Sequence, residues 1–483
     1  MTDLANRAIS SISWNLLATF ARGGLLLVRF ILLARWLPVA VFGTYGLALS
    51  LIRISSVLPS FGLGGAFLHR ATETENESKA AEAYFTLNLI SVLIWAFFVA
   101  AASFALAEGS LRTALIWLTV FFGGLMLTAP AKYILIRRVD HKRLAFMQIL
   151  DSVLSTVIAL ALAYRGFTLW ALLSADLVAM VVSVLVLYFW RPIWRPSLRW
   201  HSSGIRYFLN FGIRSLIADI LESTLEQVDN LWTGFFLGEL ALGFYNRAYA
   251  FAVYPRRLIL APVKAVLSGA YAELKNERNR LSQAVSRSQT VLIRLSFWAG
   301  GLLYVIAPEF ILVVLTSKWL PMLDAFRFML IFAVLDPYRK SLGDLFIAVG
   351  RPQELTKSRS IQLVILAGGL FALGPKFGIV GVALAVNLAL LVGLLVMLHS
   401  ARFHVDFSLA QLFAVPCLSL ITGIGLTLIL TAVPWFAVRT WQTGVIKAMV
   451  FSTLYCGLLV GLEHKKLSKS ATQLIQDIRR LSN

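Results

Sequence analysis

The sequence predicts an all-α integral membrane protein. About 14 transmembrane helices are expected, in two six-helix lobes related by a pseudo-two-fold along the membrane normal, plus two C-terminal helices. Three observations lead there. Of the 483 residues, 59% are hydrophobic and only 14% charged, with a mean hydropathy of +0.78; a soluble chain of this length would split into two or three domains carrying far more charge. The apolar residues come in windows of roughly 20, the length that crosses a bilayer core as helix, and they recur along the whole sequence. Finally, a segment near residue 40 returns at an offset of 200 residues.

The first apolar window, near Ile12–Ala34, is too long for a signal-peptide core and contains Arg22 and Arg29. No small-residue cleavage site follows it, so it reads as a retained first helix. The remaining spans are expected at 41–66, 82–106, 111–136, 144–164, 168–190, 207–236, 241–268, 287–316, 322–349, 358–374, 378–398, 409–432 and 441–461. Turn and charge signals cluster between them, as in TETENESK at Thr72–Lys79 and RRVDHKR at Arg137–Arg143.

The repeat pairs WLPVAVFGTYGLA at Trp36–Ala48 with FLGELALGFYNRA at Phe236–Ala248. Leu37, Gly43, Tyr45 and Ala48 match Leu237, Gly243, Tyr245 and Ala248 without a gap. Each segment reads as a tight extracytoplasmic turn whose glycine lets the second helix of a half begin. The chain then divides into an N-lobe at 1–195, a C-lobe at 196–400, two further spans at 401–462 and a cytoplasmic amphipathic tail at 463–483. Parallel repeats of this kind are typical of transporters that alternate access between lobes.

Orientation follows from Lys and Arg in the short loops. With the N-terminus cytoplasmic, loops on that side hold roughly 24 of them and the opposite loops roughly 6. Both termini are therefore expected in the cytoplasm, and the net charge of +20 belongs to a face beside anionic lipid rather than to nucleic-acid binding. The tail EHKKLSKSATQLIQDIRRLSN, from Glu463, reads as a short helix lying on that surface. Cys417 and Cys456 lie inside apolar runs, and the six histidines are scattered without ligand spacing, so no disulfide framework, metal or cofactor is assigned.

About 14 Lys and Arg fall within spans. A charge near the bilayer centre costs at least ~2.5–3.5 kcal/mol on insertion scales, so it needs a partner or a watery cavity. In the first half the deep charges are mainly cationic: Arg22 and Arg29, seven apart on one helical face, then Arg53; the alternative for Arg29, Arg53 and Lys132 is a place nearer the helix ends, where snorkelling suffices. Asp151 and Asp176 are their candidate partners. Helix eight carries Arg256, Arg257 and Lys264, with Pro255 and Pro262 expected to break it and free backbone groups toward a substrate. Helix seven offers Asp219, Glu222, Glu226 and Asp229 as an acidic stripe, able to neutralise the helix-eight cations or to couple transport to H⁺ or Na⁺. Asp324–Arg327 and Asp336–Arg339 can pair along helix ten at i, i+3. No nucleophile–base constellation, paired carboxylates or phosphate-cradling glycine loop appears, so catalytic residues are not assigned.

At Leu32–Leu47, LLARWLPVAVFGTYGL resembles the "LARxLGPxxFGxYxL" segment of bacterial oligosaccharide-lipid flippases of the Wzx type. These belong to the superfamily of multidrug, oligosaccharidyl-lipid and polysaccharide exporters. The resemblance continues through ALGFYNRAYAFAVYP at Ala241–Pro255 and Lys318–Gly350, covering roughly residues 1–400; Trp36-Leu37-Pro38 departs from the usual Leu-Gly-Pro. It implies two lobes and export of an undecaprenyl-pyrophosphate-linked repeat unit to the periplasmic leaflet of the bacterial inner membrane, for lipopolysaccharide or exopolysaccharide synthesis. The implied partners are that lipid-linked oligosaccharide, membrane lipids, a polysaccharide polymerase and glycosyltransferases. The physical reading agrees, because guanidinium groups grip phosphate oxygens bidentately. On that basis Arg22, Arg29, Arg53, Arg256, Arg257 and Lys264 are the candidate pyrophosphate ligands in a cationic central cavity. The alternatives are a multidrug or cation antiporter of the same superfamily, which favours an acidic first-lobe cavity, and a non-transporting membrane scaffold.

Overall fold

A computed structural model describes the backbone of residues 22–70, 76–138, 140–429 and 440–482, and their side chains except at 141, 203, 214, 256–270, 272 and 464–482. All regular structure among the described residues is helical. Two compact units emerge, Met1–Asn246 and Arg247–Asn483.

The first unit contains α1 (22–36), α2 (Val39–Ser55), α3 (Leu63–His69), α4 (Glu77–Leu106), α5 (Gly109–Leu127), α6 (Ala129–Arg137), α7 (His141–Tyr164), α8 (Thr168–Val184), α9 (Ser202–Phe236) and the start of α10 (Gly238–Glu273). Local chemistry sets several of these ends. Pro38, extended at φ −62° and ψ 147°, precedes α2, where its missing N–H costs no helical bond. The Asn76 side chain caps α4 by accepting from the Ser78 N–H at 3.0 Å, with Glu77 beside it in the first turn. Gly238, at φ +87°, makes the turn between α9 and α10 that an L side chain would strain.

The second unit holds the rest of α10, then α11 (Arg278–Glu309), α12 (Leu323–Ala348), α13 (Pro352–Ala401), α14 (Leu409–Ile429) and α15 (Trp441–Ser482). α13 is a hairpin folded at Gly378, whose φ of 58° and ψ of −136° are non-helical. Its two arms lie antiparallel, with Ser358 Oγ donating to the Gly393 carbonyl at 2.9 Å. The expected spans 358–374 and 378–398 are these two arms.

Nine helices among the described residues are long and apolar enough to cross a membrane, the hairpin counting as one. Reaching fourteen would need both arms of α13, the partly described first helix, and the long but more charged α9, α10 and α12. Leu93, Phe97 and Phe98 on α4 are 61%, 69% and 65% exposed, which suits a helix facing lipid rather than water.

Two expectations are corrected. Gly43 and Gly243 do not open their helices: the turns lie at Leu37–Pro38 and Leu237–Gly238, and both glycines sit inside α2 and α10. α10 also runs through Pro255 and Pro262 as one helix, so the expected break there is absent. A proline removes one helical hydrogen bond but can bend a long helix without ending it.

Candidate functional site

The first unit gathers charge at the point where α1, α2, α6, α7 and α8 meet. On α1, Arg22 is exposed and Arg29 half-buried. Arg29 Nη1 donates to Ser155 Oγ on α7 at 2.7 Å. One turn before Ser155 stands Asp151, whose carboxylate is within electrostatic range of both Arg22 and Arg29. On α8, Asp176 Oδ2 accepts from the Tyr45 hydroxyl of α2 at 2.6 Å and feels Arg29, Arg53 and Asp151. Lys132 on α6 feels Arg22. The cluster therefore sets four cations, Arg22, Arg29, Arg53 and Lys132, against two carboxylates. Among the described residues none of the four is in an ion pair, and Asp151 Oδ1 is shielded without a hydrogen-bond partner.

Cations inside spans that neighbouring acids only partly balance, and that no acid clamps, are poised to hold a multiply charged anion. Arg22, Arg53 and Lys132 are all exposed residues. Arg29 is braced by the Ser155 hydroxyl, which fixes its guanidinium without neutralising it.

α2 reaches this cluster from a close helix crossing. A Cβ added at Gly43 would lie 1.7 Å from the Glu239 carbonyl oxygen, and one added at Gly243 would lie 2.3 Å from the Val39 carbonyl oxygen. The two contacts are reciprocal at the 200-residue offset, so α2 and the first turns of α10 cross through a local two-fold. Thr44 Oγ1 adds a hydrogen bond to Glu239 Oε2 at 2.6 Å. Tyr245, the counterpart of Tyr45, donates to Asp229 Oδ2 at 2.5 Å.

The acidic stripe on α9 divides. Asp229 is buried and accepts from Tyr245 and from the Asn230 N–H at 2.8 Å. Glu222 and Glu226 are exposed, and Asp219 lines a recess of about 390 Å³ with Tyr133, Asn88 and Ser215. The four carboxylates share helical spacing but not one environment. The side chains of Arg256, Arg257 and Lys264 lie outside the described residues.

The second unit treats its intramembrane charge differently. Arg294 on α11 grips Glu463 through Nε at 2.7 Å and Nη2 at 2.5 Å. Lys447 Nζ meets Glu309 Oε1 at 2.5 Å, and Arg339 meets Asp336 at 2.6 Å. Lys447, Glu309, Arg294 and Glu463 are all buried. Glu463, expected to open a surface tail, is instead held inside, on the same helix as the last span. Sequence reasoning missed these long-range pairs. Their one signal was a lone acid in YVIAPEFILVV and a lone base in GVIKAMV, each interrupting an apolar run. Asp324 and Arg327 do not pair as their spacing suggested; Arg327 Cζ lies 5.2 Å from the centroid of the Tyr304 ring.

A family model described as polysaccharide biosynthesis protein matches residues 32–324, more than half of the sequence. The chain belongs to the polysaccharide biosynthesis protein family. Within it, similarity reaches the succinoglycan biosynthesis transport protein ExoT of Rhizobium meliloti, 26% identical over 65% of this chain and 64% of that protein. The alignment therefore spans a little less than two thirds of ExoT. The lipopolysaccharide biosynthesis protein WzxC of Escherichia coli is 23% identical over 79% of this chain and 78% of its own length. The teichuronic acid biosynthesis protein TuaB of Bacillus subtilis is 22% identical over 77% of each.

Among solved structures, the lipid II flippase MurJ in an inward closed conformation matches with a TM-score of 0.77 at 14% identity, covering 93% of this chain and 99% of that one. An inward-facing multidrug resistance MATE transporter of the MOP superfamily matches at 0.63 and 16% identity, over 83% and 98%. The family member described here thus has the fold of these membrane transporters.

Proposed function

We propose that this protein flips an undecaprenyl-pyrophosphate-linked oligosaccharide repeat unit from the cytoplasmic to the periplasmic leaflet of the bacterial inner membrane, supplying lipopolysaccharide or exopolysaccharide synthesis. The observation that carries this reading is the first-unit cluster, with four intramembrane cations outside any described ion pair. A pyrophosphate is a multiply charged anion that must lose water to cross hydrocarbon, and guanidinium forks replace that water best. Arg22, Arg29 and Arg53 are its ligands in this reading, with Lys132 adding charge to a cationic cavity that works by alternating access. The names of ExoT, a transport protein, and WzxC, a lipopolysaccharide biosynthesis protein, support the pathway. Both termini are cytoplasmic in this topology, and a polymerase and glycosyltransferases act on either side of the step. Asp229 and Asp176, each held by a tyrosine, are the carboxylates we assign to H⁺ or Na⁺ coupling, with Asp151, Asp219, Glu222 and Glu226 as charge partners.

A cation antiporter would favour acids over bases in this cluster, and the reverse is found; a scaffold would leave the open cations without a use. The test is expression-matched complementation of surface-polysaccharide export with alanine and lysine at Arg22, Arg29 and Arg53. Each alanine should lower substrate affinity about 10- to 150-fold, the loss of a charge-assisted bond worth roughly 1.5–3 kcal/mol. Lysine should restore function only in part, since it keeps the charge and loses the fork. Wild-type export from the triple alanine variant would overturn the proposal.

A further inference from the structure

A slot of about 630 Å³ opens in the second unit between α11, α12 and α14. Its size falls in the range of ligand sites rather than packing voids. Phe297, Leu335, Phe413 and Leu420 give it an apolar wall. At the other end stand Arg327 and Asp324, and Ile331 between the two ends is 43% exposed, so the slot is open along the flank of α12.

Charge changes along α12 in a fixed order. Asp324, in the first turn, is exposed; Arg327, one turn on, is half-buried; Ile331 and Leu335 follow one and two turns further. Arg327 has neither a hydrogen bond nor an ion pair among the described residues, and its Nε is shielded without a partner. Its guanidinium lies instead over Tyr304, whose ring is part of the same lining. Asp324, at the i, i+3 step from Arg327, does not pair with it among the described residues. A shielded donor on a residue that lines an otherwise apolar slot is costly unless an acceptor reaches it.

We infer that this slot binds a membrane aminophospholipid, of the phosphatidylethanolamine class. An acyl chain lies along the apolar wall, the phosphate meets Arg327, and the ammonium at the end of its two-carbon linker meets Asp324. The lipid carries apolar chain, anion and cation in the order in which α12 presents apolar wall, cation and anion. An acidic phospholipid would satisfy Arg327 but would leave Asp324 facing an uncharged or anionic head. A cationic amphiphile would satisfy Asp324 and be repelled by Arg327. The slot shares none of its lining with the cations assigned to the transported substrate.

Native mass spectrometry of the full chain, loaded with equimolar phosphatidylethanolamine and phosphatidylglycerol of matched chains, tests the assignment. Wild type should retain the ethanolamine lipid in preference, and Arg327→Ala should lose about tenfold in retention of both. Asp324→Asn should keep the phosphate contact and reverse the preference toward phosphatidylglycerol. Cys417, in the slot wall, should react with a bilayer-soluble maleimide more slowly in ethanolamine-lipid vesicles than in glycerol-lipid vesicles, while exposed Cys456 reacts equally in both. Should Arg327→Ala fail to fold, the surface substitution Asp324→Asn still decides: an unchanged lipid ratio overturns the proposal. Equal labelling of Cys417 in both vesicles would overturn it as well.

Discussion

Both units place arginine and lysine inside helices that cross the membrane, and they use them in opposite ways. In the second unit each of Arg294, Arg339 and Lys447 is closed on a carboxylate at 2.5–2.6 Å. In the first, Arg22, Arg29 and Arg53 see acids only at a distance, and neither they nor Lys132 is in an ion pair among the described residues. Burial differs as well: Arg22, Arg53 and Lys132 are exposed, whereas Arg294 and Lys447 are buried. A clamped pair ties α15 to α11, whereas in the function proposed above an unclamped cation keeps its field for the substrate.

The comparison breaks most sharply at Glu463. Replacing it with alanine leaves Arg294 buried and uncompensated, a loss expected near 3–5 kcal/mol. Fluorescence-detected size exclusion and thermal unfolding in detergent should show most of the folded population gone. Arg294→Met with Glu463→Met should recover much of it, because two apolar side chains leave no charge behind. Arg29→Ala, by contrast, should leave the melting curve close to wild type while export fails. Equal thermal losses from Arg29→Ala and Glu463→Ala would erase the distinction between the units.

A smaller effect separates the two copies of the repeat. Tyr245 is fully buried and donates to a carboxylate whose other described partner is one backbone N–H. Tyr245→Phe should therefore cost about 1.5–3 kcal/mol, the range for a hydrogen bond to a charged group. Tyr45→Phe should cost less, since Asp176 keeps Arg29 and Arg53 within range. Thermal unfolding of the two variants side by side measures the difference, and a larger loss at Tyr45 would contradict it.

The membrane helices were legible in the sequence because hydrophobic length is a local property. The two arms of α13 could be drawn at 374 and 378 from the residues around Gly378 alone. The repeat was legible only as four matching letters; its meaning needed the reciprocal approach of Gly43 to residue 239 and of Gly243 to residue 39. Charge pairing was harder still. Glu309 and Lys447 are 138 residues apart, and Arg294 and Glu463 are 169 apart, so no periodicity links them. Even local spacing misleads: Asp336–Arg339 pairs and Asp324–Arg327, with the same i, i+3 step on the same helix, does not. The difference is the Tyr304 ring, which takes the second guanidinium, and it belongs to another helix.

The smallest effect is expected outside the spans, where the same kind of pair meets water. Arg278 grips Asp406 through Nη2 at 2.7 Å and Nε at 3.2 Å, with both side chains more than half exposed. The hydrogen bond from Arg278 holds the Asp406 carboxyl below its ordinary range. A carboxyl whose folded value is depressed binds fewer protons folded than unfolded at acid pH. Its contribution is then fully present above the unfolded value, near 3.9, and is lost as pH falls through the lower folded value. The melting temperature should be flat for this pair from pH 5 upward and should decline below pH 4. Asp406→Asn should remove that part of the decline and change little at pH 7, because exposed pairs are screened and contribute little. Adding salt at pH 7 should affect wild type and Asp406→Asn almost alike, and should leave the penalty of Glu463→Ala intact. If salt erased the Glu463→Ala penalty too, the Arg294 pair would behave as a surface contact, and the contrast between clamped and open charge would fail.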